Sequence, residues 1–93
     1  MIVVDGGRGT LAGAVTLDNV GAVLEEGNRA FTAPSITVDL AGVTEVDSTA
    51  VSLLLEWRRA ALRDKRVIEY VNYPANLKSL IELYGVSELL VDK

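Results

Sequence analysis

The sequence predicts an α/β domain, with a mixed four- or five-stranded sheet packed against three principal helices. Three observations predict it. Short β-branched runs alternate with longer helical patterns along the chain. Residues 38–55 read as a buried strand, a short loop with an acid and two hydroxyls at its exit, and then a strongly apolar helix. Ninety-three residues suffice for one domain, expected to span 1–93, with roughly 60–65% of the unfolded chain's surface buried.

Each element has a local reason. Residues 2–4 and 10–15 are expected as two short strands around the Gly6-Gly7-Arg8-Gly9 turn. Those glycines lack the Gly-Lys-Ser/Thr ending and the immediate helix of a phosphate loop. Thr16 is expected to cap a helix beginning near Leu17, with Val20, Val23 and Leu24 as its apolar stripe. Pro34 marks a new start, and residues 35–40 form a strand with Ile36, Val38 and Leu40 on one side. Asp39-Leu40-Ala41-Gly42-Val43-Thr44 reads as the turn that follows.

The helix expected over 48–63 has Val51, Leu54, Leu55, Arg58 and Leu62 around one side and Leu53, Trp57, Ala60 and Ala61 on the next. Only Ser52, Glu56, Arg59 and Arg63 make a clean polar stripe, so the apolar arc is wider than one sheet face requires. Residues 67–71 supply another strand. Pro74 suits the first turn of a third helix, where its missing N–H has no intrahelical partner. Leu77, Leu80, Ile81 and Tyr84 follow at helical spacing, Gly85 provides the left-handed stop, and Val86 can pack back on Ile81. Residues 89–91 are a candidate last strand.

Composition excludes several functions. Cys and His are absent, which removes disulfides, thiolate–imidazole metal sites and histidine acid/base catalysis. No cofactor or metal is expected, since the carboxylates are scattered and show no calcium-loop spacing. Nine Lys plus Arg against thirteen Asp plus Glu give a net charge of -4, a poor basis for neutralising nucleic-acid phosphates. The basic cluster Arg58, Arg59, Arg63, Lys65 and Arg66 reads as a solvated helix face or as a partner or headgroup contact. Residues 1–4 are too short for a signal segment, and no 18-residue apolar run exists, so the expectation is a soluble cytoplasmic chain without direct membrane insertion.

The candidate site is the mouth of the 48–63 helix. Asp47, Ser48 and Thr49 supply capping groups where backbone N–H donors lack partners, and such a mouth favours an anion or a partner's acidic group. Trp57 has two readings, core residue or interface anchor, with Arg58 and Arg59 beside it. No catalytic residues are assigned. Asp39 follows a buried-strand pattern and Asp47 has an easier capping role, so neither makes a persuasive acid/base pair.

These residues resemble a known family. The strand, the 39–44 turn and the Asp47-Ser48-Thr49-Ala50 loop are similar to the STAS domain, the fold of the anti-sigma factor antagonists. Ala50-Val51-Ser52-Leu53-Leu54-Leu55-Glu56-Trp57 and the stretch from Asn72-Tyr73-Pro74-Ala75-Asn76-Leu77 to Gly85-Val86 resemble its MlaB-like members. Those are cytoplasmic STAS subunits of the Gram-negative inner-membrane ABC transporter that maintains outer-membrane lipid asymmetry. The resemblance covers nearly the whole chain. It implies a non-enzymatic accessory subunit binding the ABC ATPase, within a complex with permease and lipid-binding subunits, peripheral to the inner membrane. Position by position, it implies that Ser48 contacts the ATPase and that Thr49 matches the phosphorylated position of the sporulation-type antagonists. Asp47 matches the family's loop aspartate, and Ala50 replaces the usual glycine. The alternative implied is an anti-sigma factor antagonist controlled by phosphorylation of Thr49 or Ser48.

Overall fold

The chain folds in the order β1 (Ile2–Asp5), β2 (Arg8–Val15), α1 (Val20–Ala30), β3 (Ser35–Val46), α2 (Ser48–Arg63), β4 (Val67–Val71) and α3 (Ala75–Leu83). The computed structural model describes residues 2–85. Among them lies a four-stranded mixed sheet in the order β1-β2-β3-β4, with β1 antiparallel to β2 and the other two pairs parallel. The candidate strand at 89–91 and the Val86–Ile81 contact lie outside the described residues.

One face of the sheet is apolar and the other is not. Leu11, Ile36, Val38, Leu40, Ile68 and Tyr70 are buried beneath the helices. Alternation places Arg8, Thr10, Thr37, Asp39 and Glu69 on the opposite face, where Arg8 and Asp39 form a 2.9 Å ion pair. α2 is the central helix. It packs against α1, β4 and α3, which accounts for its broad apolar arc: most of that surface is used inside the domain.

The chain departs from the sequence expectations at four places. Thr16 does not cap α1, which begins at Val20 after Asn19. Asn19 instead closes a turn, accepting the Thr16 N–H (3.0 Å) and donating to the Ala14 carbonyl (2.8 Å), and Leu17 is left 74% exposed. The short-range competition of an asparagine side chain for backbone groups overrides the helical start signal. The stretch 39–44 is no turn but the continuation of β3, whose pairing with β2 shifts register twice and so absorbs the extra residues. β2 likewise starts at Arg8, leaving Gly6-Gly7 as the turn. Finally, Pro74 is the N-cap of α3 with extended backbone, one place ahead of the first helical residue.

Both ends of α2 match the expectation, Ser48 and Arg63. Its end is locked without glycine: Lys65 takes the left-handed conformation (φ 59°) and the Arg66 N–H reaches the Ala61 carbonyl at 2.7 Å. Gly85 serves the corresponding role after α3, with φ 68°.

Candidate functional site

The mouth of α2 is built around one carboxylate. Asp47 leaves β3 in an extended conformation, and its Oδ1 accepts both the N–H (2.9 Å) and the hydroxyl of Thr49. Its Oδ2 accepts the Leu17 N–H at 2.9 Å, tying the β2–α1 loop to the start of α2. These donors, the Thr49 hydroxyl foremost and the Leu17 N–H next, hold the Asp47 carboxyl below the usual aspartate range. Asp47 is therefore the cap and the clip, and its oxygens are already engaged.

The two hydroxyls divide accordingly. Thr49 is half-buried and donates to Asp47, whereas Ser48 is exposed and makes no hydrogen bond to any described residue. Ala50 is buried and lies inside the helix, its N–H bonded to the Asp47 carbonyl at 3.0 Å. Replacing glycine there needs no special backbone, because Ala50 has no positive φ.

Ser48, Thr49, Val51, Ser52 and Leu55 of α2, with Tyr84 at the end of α3, line a surface groove of about 420 Å³. Val51 forms part of its apolar floor, and Tyr84 is 52% exposed. Tyr84 and Leu55 were absent from the sequence-derived site. Leu55 lies at position i+7 from Ser48, so helical spacing alone could have found it. Tyr84 could not be found that way, since its place depends on how α3 crosses α2.

The remaining candidates separate. Trp57 is 3% exposed: its ring meets Phe31 edge-on at 5.0 Å and its Nε1 donates to the Leu24 carbonyl at 3.2 Å. It completes the α1–α2 core, so in this domain Trp57 is the core residue of its two readings and not an interface anchor. Arg59 projects from the exposed stripe and pairs with Glu56 one turn earlier. Arg58 is half-buried on the other side of the helix, where its positive charge opposes the rise that burial imposes on the Tyr70 and Tyr73 hydroxyls. The structure thus joins Asp47, Ser48 and Thr49 into one site, leaves Arg59 further along the same outer ridge, and places Arg58 apart.

No reaction centre is apparent among the described residues. Asp39 is held ionised first by the Ala41 N–H, then by the Asn72 side chain and Arg8, as Asp47 is by its own donors. Carboxylates stabilised in the charged form are weak proton carriers near neutrality. No group of three or more acidic, His or Cys side chains among the described residues could hold a metal ion. No described helix is long and apolar enough to cross a membrane.

A four-stranded mixed sheet under three helices, with an aspartate-capped helix mouth exposed at one end, defines a STAS-type recognition domain. The family model described as "Mlab, STAS domain" matches residues 7–92, and the chain belongs to that family. A solved structure described as "Crystal Structure Analysis of Mglu" is similar in fold, with a TM-score of 0.62 at 20% identity over 81% of this chain. The match spans 20% of that protein's chain, and the likeness concerns the fold alone. No curated protein matches the sequence.

Proposed function

We propose that this chain, as one STAS domain, is a non-enzymatic accessory subunit. It would bind and support the ATPase of an inner-membrane phospholipid-transport ABC complex that maintains outer-membrane lipid asymmetry. In that assembly it would be cytoplasmic, held at the membrane through the ATPase, while hydrolysis and lipid passage belong to other subunits. The observation that supports this reading most is the outer ridge of α2: exposed Ser48 and Ser52, the Leu55–Tyr84 groove and Arg59, in a chain whose family is that of MlaB. Exposed hydroxyls beside an apolar groove suit a partner that contributes one apolar side chain and polar backbone around it.

Recovery of the chain with an ABC ATPase from detergent-solubilised membranes tests the proposal. Ser48→Ala removes a hydroxyl with no described internal partner, and Arg59→Glu breaks only an exposed ion pair with Glu56, normally worth about 0–1 kcal/mol. Both variants should melt like the parent and recover less ATPase. Parental recovery in both would remove the docking surface from this ridge.

The phosphorylation reading has one observation in its favour. A phosphate on Thr49 would replace the bond to Asp47 with repulsion and strain the clip to Leu17. Co-purification with a GHKL-type kinase in place of an ATPase would decide for an anti-sigma factor antagonist.

A further inference from the structure

The positive charge of this acidic chain is concentrated in one stretch, which shares only Arg59 with the proposed ATPase ridge. Five of the nine Lys and Arg residues fall between Arg58 and Arg66, with Asp64 as the one acid among them, so this stretch carries +4. Since the whole chain carries -4, the rest carries -8. The domain measures 29 × 27 × 20 Å, several times the roughly 8 Å screening length at physiological salt, so an approaching ligand at this end senses mainly the local charge.

Arg58 and Arg66 of this stretch line an apolar cleft. Leu62, at the end of α2, is 65% exposed, and Val67, at the start of β4, is 49% exposed. Between them lies a concavity of about 70 Å³ lined by Arg58, Ala61, Leu62, Arg66, Val67 and Ile68. That is several times the roughly 10–15 Å³ that admits one water, and it suits the end of an aliphatic side chain. Its walls are fixed. Arg66 donates to the Phe31 carbonyl and to Asp64 (3.2 Å), and the left-handed Lys65 sets the tight passage from α2 into β4. Among the described residues β4 is also an edge strand, paired with β3 alone.

We propose that the α2–β4 cleft is a second docking site, for an acidic peptide segment of a partner protein that inserts one aliphatic side chain between Leu62 and Val67. Charge complementarity selects the acidic flanks, and the concavity selects the side chain. A flat anionic bilayer fits less well, because a recess receives a protruding group whereas membrane contact is made by groups that protrude from the protein.

The test uses the whole chain and two short fluorescein-labelled peptides, one of glutamates around a single leucine and its twin with serine in place of leucine. Fluorescence anisotropy should show saturable binding of the leucine peptide, weakened by added salt and about tenfold weaker for the serine twin. Leu62→Gln, Val67→Thr and the pair Arg63→Gln/Lys65→Gln should each weaken it by a similar factor while melting near the parent. Two of these suffice if one variant misfolds. Backbone amide shifts on titration should centre on Leu62, Val67 and Ile68. The proposal is overturned if no peptide binds, if the twins bind alike, or if the variants bind as the parent does. Shifts that centre on Ser48 and Ser52, or capture by phosphatidylglycerol vesicles without peptide binding, overturn it equally. ATPase recovery does not enter these measurements, so failure of the ridge proposal and failure of this one are separately visible.

Discussion

Gly27→Ala offers a sharp test of how α2 is held, because two general effects predict opposite signs. Gly27 lies in α1, where alanine is favoured over glycine by about 0.8–1.0 kcal/mol. A Cβ at this position, however, would lie 2.2 Å from Trp57 Cζ2, 2.3 Å from Cε2 and 2.5 Å from Nε1. Carbon atoms prefer about 3.5–4.0 Å, so the indole or the helix must retreat by more than about 1 Å. The ring has little freedom to do so. It is packed edge-on to Phe31 and hydrogen-bonded to the Leu24 carbonyl, contacts worth about 0.5–1.5 kcal/mol each. Overpacking and partial loss of those contacts should exceed the helical gain, leaving a net destabilisation of roughly 1–3 kcal/mol. For a domain of this size the melting temperature should fall by on the order of 10 °C. Trp57 is the single tryptophan, so its fluorescence reports the same event directly. Gly21→Ala is the internal control: it is in the same helix, no heavy atom lies within 4 Å of its added Cβ, and it should hold or raise the melting temperature. If Gly27→Ala behaves like Gly21→Ala, the argument that Trp57 locks α1 to α2 fails.

Other perturbations address the site and the core. Asp47 has a folded-state pKa below its usual value of about 3.9, so its contribution to stability is complete above that value and is lost as pH falls through the folded pKa. Asp47→Asn should therefore lower the melting temperature at neutral pH and flatten its decline in acid, measured as melting temperature against pH. Tyr70→Phe removes a buried 2.7 Å bond from the hydroxyl to the Leu54 carbonyl and should destabilise by about 0.5–1.5 kcal/mol in urea, with α2 still formed by circular dichroism. Burial raises the Tyr70 hydroxyl far above the ordinary tyrosine range, so its ultraviolet titration should appear only on alkaline unfolding.

The parts legible in the sequence were those fixed by local chemistry. The limits of α2 follow from an aspartate cap and a following run of helix formers, and β4 follows from a compact β-branched run between polar turns. The misreadings share a cause. Thr16 and Asp39 carry side chains that serve equally well in turns, caps and strand irregularities, and their partners, near and distant in sequence, decide among these. For Thr16 the deciding partners are Asn19 and the Asp47–Leu17 clip; for residues 39–44 they are the register shifts against β2. Trp57 was ambiguous because a tryptophan on a broad apolar arc suits a core or an interface. Its burial against Gly27, Phe31 and Leu24, all of them more than twenty positions earlier, resolves it. Ser48 and Thr49 were found together by pattern, but their division into an exposed and an engaged hydroxyl depends on the rotamer that lets Thr49 reach Asp47.

The arrangement suits recognition for a mechanical reason. α2 is clamped at its start by Asp47, along its inner side by Trp57, and just beyond its end by Arg66 bound to the Phe31 carbonyl. Its outer ridge and the cleft at its end are consequently held before any partner arrives, which reduces the ordering entropy that association must overcome. Other polar groups are engaged within the domain as well. The Asp47 oxygens are occupied, Asp39 is held by Ala41 and Arg8, and the Tyr70 hydroxyl is given to a backbone carbonyl. What remains available at the ridge is the hydroxyls of Ser48 and Ser52, a half-apolar groove and a guanidinium on a rigid helix, a set suited to discriminating a partner surface.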